Sequence, residues 1–396
     1  MTGRKKSFLL LVLFLLLFVL LLPSLLKSVL ELALSRAVSD STVPLVSGRV
    51  KTLGYHGLIM SDWMADAGNG VLIQMPRLEA VYSPGTLLRG RIPSVDGKIV
   101  SESNVVFEAD FSVREFRPFS GAEFSLLVES LEIPENSLSL SNLATACTVC
   151  FSGGKIRSLP KQLLTIDQIS AGDLQMDQIQ MRYQLEPGPV LFVEDLELNW
   201  CGGRVSLYNA RIDPEMTSMS VQLFCDRLSL EQVLASFGLK DFYAGGELNG
   251  RLPLEWTADG LRIDRGFLFT TPGRGGTFSF GAAEVAAAVL PPGSLEKGQV
   301  GLVAAALAEF NYDWITMTLN SEGESLRLAI ELSGTPEHVL PYEYDSQTGT
   351  YVKISLRPGH GIRQPMRFQL NLTIPLDQLL CYASGVNRQW NLFKTK

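Results

Sequence analysis

From Pro44 onward, apolar residues recur at every second position. Val71, Ile73 and Met75 alternate with Leu72, Gln74 and Pro76, and Leu196, Leu198 and Trp200 with Glu197 and Asn199. Val205 and Leu207 follow, then Met219, Val221, Leu223 and Cys225 against Ser220, Gln222 and Phe224. Leu326, Leu328 and Ile330, and later Phe368, Leu370, Leu372 and Ile374, repeat the pattern. Gly, Pro, Asn or Asp bounds each run, as in Cys201-Gly202-Gly203 and Ile212-Asp213-Pro214. A period of two with one apolar and one polar face predicts antiparallel strands, and their number predicts a mainly β protein. Ser229 and Gln232 have capping-box spacing, and Leu230, Val233, Leu234 and Phe237 form one helical face, so a short helix is expected there.

The first 44 residues follow a different rule. Phe8 to Leu22 is an unbroken apolar run behind Arg4, Lys5 and Lys6, and its apolar character continues past Pro23 and Ser24 to Leu26. At about 1.5 Å per residue the stretch reaches roughly 28 Å, close to a hydrocarbon core. A cleaved signal peptide is the competing reading. Its small-residue site, Ala33-Leu34-Ser35, would lie far beyond the apolar core, which favours an uncleaved single-pass anchor. The basic N-terminal tail keeps that end in the cytoplasm. From Ser24 to Val38 an i, i+3, i+4 rhythm predicts an amphipathic helix, suited to a membrane surface or to packing on its own domain. The expected division is therefore 1–26 tail and anchor, 27–44 amphipathic helix or linker, 45–190 an N-terminal β portion, and 191–390 a C-terminal β domain.

Charge removes one class of partner. The chain has 396 residues and a net charge of −7, but residues 1–36 hold five bases and one acid. That leaves 29 basic against 40 acidic residues in the rest, and a body so acidic carries no electrostatic footprint for nucleic acid. Charged residues are 19% of the chain and mean hydropathy is +0.16, unlike an ordinary soluble enzyme.

Catalytic constellations are thin. Cys147-Thr148-Val149-Cys150 has redox or half-zinc-site spacing, but no second pair or nearby histidine completes a metal site. A Cys147–Cys150 disulfide and inert packing both remain open. His56 near Ser61 and Asp62 is proximity without a nucleophile elbow. Gly273-Arg274-Gly275-Gly276 lacks the Lys-Ser/Thr of a phosphate loop and reads as a hairpin turn.

Several stretches together resemble a known family. An anchor and amphipathic helix lead into Leu53-Gly54-Tyr55-His56-Gly57-Leu58 and then Tyr82-Ser83-Pro84-Gly85-Thr86-Leu87-Leu88-Arg89-Gly90-Arg91-Ile92, similar to the opening of AsmA-like envelope proteins. Gly245-Gly246-Glu247-Leu248-Asn249-Gly250-Arg251-Leu252-Pro253, Ile263-Asp264-Arg265-Gly266, Phe310-Asn311-Tyr312-Asp313-Trp314 and Leu332-Ser333-Gly334-Thr335-Pro336 follow in an order that resembles the YdbH-like, TamB-related family, here in a shortened form. The resemblance implies an elongated, curled antiparallel sheet whose concave face is a hydrophobic groove. It implies an inner-membrane protein of the Gram-negative envelope with its body in the periplasm, conducting phospholipid between inner and outer membranes. It implies no catalytic residue, cofactor or metal. The partners it implies are phospholipid, the inner membrane and a small outer-membrane lipoprotein, or self-association through a sheet edge. An envelope assembly factor acting by β-augmentation is the alternative.

On this reading the groove is lined by Val71, Ile73, Met75, Leu196, Leu198, Trp200, Val205, Leu207, Met219, Val221, Leu223, Leu370 and Leu372. The same stripes would otherwise form the dry core of a closed sandwich. One strand per about 12–14 residues would give a path on the order of 120 Å at roughly 4.8 Å per strand.

Overall fold

The structure is a computed structural model that describes residues 45–375, apart from 55–56, 67–71, 282–294 and scattered loop positions. The expected anchor (1–26) and amphipathic helix (27–44) lie outside the described residues. No helix among the described residues is long and apolar enough to cross a membrane.

The chain opens with β1 (Leu45–Gly54), β2 (Gly57–Asp66), β3 (Leu72–Val81), a single turn of helix α1 (Pro84–Leu88), β4 (Ile92–Glu102) and β5 (Val106–Arg117). Next come β6 (Gly121–Ile133), β7 (Leu138–Ser152), β8 (Lys155–Ser158), β9 (Gln162–Ala171) and β10 (Leu174–Leu185). The second half holds β11 (Leu191–Trp200), β12 (Gly203–Ile212), β13 (Met219–Ser229), α2 (Leu230–Ser236), β14 (Phe242–Ala244), β15 (Glu247–Thr257), β16 (Gly260–Ile263), β17 (Gly266–Thr270) and β18 (Gly276–Phe280). Helix α3 (Leu295–Ala308), β19 (Phe310–Glu322), β20 (Ser325–Pro336), a β21–β22 hairpin (Tyr342–Asp345, Thr350–Lys353) and β23 (Met366–Pro375) close it.

All the strands except that hairpin belong to one 21-stranded sheet among the described residues. Every pairing in it is antiparallel, and nearly every strand pairs with its neighbour in sequence. The sheet runs unbroken from β10 to β11 through Leu185↔Leu191. About seventeen strand rows stand side by side, roughly 75–80 Å at about 4.8 Å each. That is shorter than the sequence spacing suggests, because the strands are long: β7 alone has 15 residues.

Long strands keep one face apolar only by breaking strict alternation. Val113 and Phe116, Leu140 and Leu143, Leu207 and Ala210, and Cys225 and Leu228 are all buried, yet each pair is three residues apart. In an ideal strand such residues point to opposite faces. The residue before the second of each pair takes a left-handed conformation: Glu115 (φ 51), Asn142 (φ 51), Asn209 (φ 53) and Arg227 (φ 53), with Gln178 (φ 52) before Ile179 in β10. Register shifts flank Glu115, Gln178 and Arg227. These are β-bulges, which bend a strand and tighten its twist. The backbone N–H that a bulge strands needs a partner. Asn249 Oδ1 accepts from Arg227 N at 3.0 Å, and Asn320 Oδ1 accepts from Arg265 N at 2.8 Å.

Two glycines answer to specific geometry. Trp200 pairs with Gly203 across a two-residue turn in which Cys201 (φ 48) and Gly202 (φ 70) are both left-handed, the turn that fits strand twist. Gly97 sits opposite Phe111, whose ring lies where a Cβ would be, 2.5 Å from it. Gly273–Gly276 is a turn, with Arg274 N donating to Thr271 O at 3.1 Å. It is not a hairpin turn, because β17 and β18 both pair with β19 and not with each other. Helix α2 forms as its spacing predicts: Ser229 caps it, accepting from Gln232 N at 3.3 Å.

Candidate functional site: a continuous apolar face

Two apolar clusters cover one face of the sheet. The first runs from Leu78 to Ala210 and includes Phe124, Val128, Leu131, Leu143, Val149 and Leu164, which are almost wholly buried. The second runs from Val205 to Ile374 and carries α2 and the end of α3, through Leu230, Val233, Leu234 and Leu307. Leu198 and Leu223 pack against both, so the clusters form one uninterrupted surface. A third, smaller cluster joins Leu302 and Ala306 of α3 to Leu340 and Tyr342 beside the hairpin.

How tightly that face is covered varies along the sheet. On β5, β6 and β7 every second position is buried apart from one three-residue step in each strand. On β11 Leu196, Leu198 and Trp200 are half-buried, and on β13 so are Met219, Val221 and Leu223. Phe368, Leu370 and Leu372 on β23 are half-buried as well.

The nominated groove residues distribute over this surface. Register brings six together on three adjacent strands: Leu196 faces Leu207, which faces Leu223, and Leu198 faces Val205, with Val221 two residues from Leu223. Val205 and Leu207 are buried, the other four half-buried. Trp200, Leu370 and Leu372 pack on the second cluster and Met75 on the first, while Met219 is half-buried outside both. Ile73 lies in β3, but its side chain, like Val71 altogether, is outside the described residues. The tightly covered interior of β5–β9 was not nominated from sequence.

A few buried polar side chains interrupt the apolar face, Thr145 and Thr270 among them. Thr145 Oγ1 lies 2.9 Å from Tyr183 OH, both buried, and also donates to Leu163 O at 2.9 Å. The Cys147 thiol, hydrogen-bonded to Tyr183, is pushed up to about 11 by burial, and burial raises the Tyr183 phenol too. The Cys147–Cys150 disulfide considered from sequence is not formed, and both are free thiols. Cys147 is buried and Cys150 points to the opposite face; a three-residue step along an extended strand sets them roughly 10 Å apart, beyond disulfide reach. Burial also lifts Cys201 and Cys225 to about 12, so none of these three thiols is an activated nucleophile.

The opposite face mixes charged and polar side chains with exposed apolar ones such as Leu127 and Leu163. A concavity of about 850 Å³ across β3–β9 is lined by Arg77, Glu79, Asp96, Lys98 and Asp110 together with Leu127, Ala144, Ala146 and Leu163. Arg77 pairs with Glu79 at 2.5 Å, Arg114 with Asp96 at 2.9 Å, and Lys98 with Glu108. Among the described residues, no three His, Cys, Asp or Glu are placed to hold a metal ion.

A family model described as "YdbH-like: Intermembrane phospholipid transport protein YdbH" matches residues 91–337. The chain belongs to the YdbH-like family. The match spans β4 to β20 whole and so contains most of both clusters and the six-residue patch on β11–β13. No curated protein and no solved structure is measurably similar to this YdbH-like chain.

Proposed function

We propose that this protein conducts phospholipid between the inner and outer membranes along the apolar face of its sheet. The bulges curl the strands into a trough, the acyl chains lie along it, and the head group faces water. Residues 1–26 hold the protein at the inner membrane and the body stands in the periplasm. The observation that carries this reading is the continuity of the apolar face, bridged from one cluster to the other by Leu198 and Leu223. Among the described residues no helix packs on β5–β10, and their inward positions are nevertheless buried, which is what a sheet folded over its own face produces. Family membership supports phospholipid as the cargo.

The energetics suit a passive conduit. At ~0.8 kcal/mol per methylene, two acyl chains with about thirty methylenes cost roughly 25 kcal/mol to expose to water. A trough that keeps them covered removes most of that barrier with no catalytic group or cofactor.

A photoreactive residue introduced at Leu198 or Val221 tests this directly. Cross-linking in cells is expected to recover phospholipid, whereas recovery of protein alone would refute the conduit. The second reading, an assembly factor acting by β-augmentation, draws on the sheet edges. Among the described residues β1 pairs only with β2 and β23 only with β20, leaving an edge at each end for another strand. A small outer-membrane lipoprotein or a second copy of the chain would fit either edge.

A further inference from the structure

A polar pocket opens at the rim of the apolar face, beside its half-covered stretch. About 550 Å³ in volume, it lies around the β11–β12 turn and is lined by Arg204, Arg227, Asp177, Glu247 and Asn199 over the edge of Trp200. Trp200 belongs to both surfaces, since it also packs on the second apolar cluster. Two neighbouring bulges shape the pocket. Arg227 is itself a left-handed bulge residue, and the bulged Gln178 accepts from Asn199 Nδ2 at 3.0 Å.

The charges there are loosely engaged. Arg204 lies 3.9 Å from Glu197, Arg227 Nε 3.5 Å from Asp226, and Glu247 4.0 Å from Arg274. Asp177 Oδ1 accepts from Gln175 Nε2 at 3.3 Å. These separations are at or beyond a good hydrogen bond, and such exposed pairs are weak, so a ligand displaces them easily. Two guanidinium groups suit a phosphate diester, which arginine binds with a matching fork of N–H donors. Two carboxylates across the same pocket suit an ammonium group. An anionic head group alone would leave Asp177 and Glu247 facing it unfavourably.

Resting on the conduit reading above, we infer that this pocket receives a zwitterionic phospholipid head group, phosphate on Arg204 and Arg227 and amine on Asp177 and Glu247, while the acyl chains pass Trp200 into the trough. A phospholipid needs an apolar and a doubly charged surface side by side, and here they share one side chain.

The test uses the full-chain protein incubated with vesicles of equimolar phosphatidylethanolamine and phosphatidylglycerol, with retained lipid identified by mass. The wild type should retain phosphatidylethanolamine in about fivefold excess. Asp177→Asn with Glu247→Gln should abolish that preference. Arg204→Gln with Arg227→Gln should lower total retained lipid about tenfold, with an unchanged circular dichroism spectrum. Retained lipid that mirrors the vesicles, a preference that survives the carboxylate changes, or undiminished retention by the double arginine variant would each overturn the pocket assignment and leave the trough standing. A wild type that retains no lipid would overturn both.

Discussion

Placing one carboxylate at two points on the apolar face separates a covered interior from an open path. Leu143 is fully buried in β7, whereas Leu198 in β11 is half-buried between the two clusters. Leu143→Asp forfeits about 1.5–3 kcal/mol of side-chain burial. The new carboxylate must also stay charged out of water or take up a proton. Protonation at pH 7 of a group that ordinarily titrates near 4 costs about 4 kcal/mol, before any unsatisfied polar atom is counted. The total, roughly 6–8 kcal/mol, is comparable with the whole stability of a typical domain. Leu198→Asp loses about half as much burial, and its carboxylate can remain hydrated, so its cost is roughly 1–2 kcal/mol.

Leu143→Asp is therefore expected to lose cooperative melting and to fail to accumulate. Leu198→Asp should melt within several degrees of wild type but lower transfer of a fluorescent phospholipid between donor and acceptor vesicles at least tenfold, because the chains must pass a fixed charge. Two results would refute the reasoning. If Leu198→Asp unfolds as Leu143→Asp does, the β11–β13 region is closed core. If it folds and transfers lipid at the wild-type rate, the path runs elsewhere.

Three further outcomes follow from local geometry. Gly97→Ala drives a Cβ into the Phe111 ring and should destabilise by about 1–3 kcal/mol in chemical denaturation, with much of the loss recovered in the Gly97→Ala/Phe111→Leu double variant. Asn142→Val forces a β-branched residue into a left-handed bulge and should cost about 1–2 kcal/mol or more by thermal melting; Asn142→Gly should cost less, losing mainly the Asp167 hydrogen bond. The thiols set a pH window: Cys147 is raised to about 11 and Cys225 to about 12, so the unfolded chain releases these protons first as pH rises. Their contribution is complete below about pH 8.5, the thiol's ordinary value, and is lost as pH climbs towards 11–12; Cys147→Ala with Cys225→Ala should flatten the decline of denaturation midpoint above pH 9.

Alternation in β11, β12, β13, β20 and β23 was readable because each strand there has a polar face to contrast with its apolar one. Register was not readable from those runs; the pairing of strands is what brings Leu196, Leu207 and Leu223 opposite one another. The interior of β5–β9 was obscured by apolar residues on the wrong face: Leu127 is 40% exposed and Leu163 48% exposed, so a run such as Phe124 to Leu131 loses its contrast. The bulges were missed for a different reason. Glu115, Gln178 and Arg227 are not residues that announce a left-handed backbone, and local pairing imposes it on them. The signal available was the three-residue step between apolar positions, Leu140 to Leu143 or Cys225 to Leu228, which otherwise reads as a strand end. The expected path near 120 Å rested on one strand per about 12–14 residues; strands carried through their bulges are longer than that spacing allows, and the sheet is roughly 75–80 Å.

The same steps explain why one sheet can bury a face that no second sheet covers. A flat meander of this length would leave its apolar side in water, a surface far larger than a soluble protein tolerates. The bulges bend the strands at two levels across the sheet, Asn142 and Gln178 at one and Glu115 and Asn209 at the other, and the curl they add turns the apolar face inward. The C-terminal half solves the problem locally, with α2 and α3 laid onto the second cluster by Leu230, Val233, Leu234 and Leu307. Between the self-covered half and the helix-covered half neither device is complete, and there Leu196, Leu198, Val221 and Leu223 stay half-exposed. Half-exposure of aliphatic side chains at the junction of two well-packed clusters is a cost that better packing would remove, and its persistence is what an opening for an apolar cargo requires.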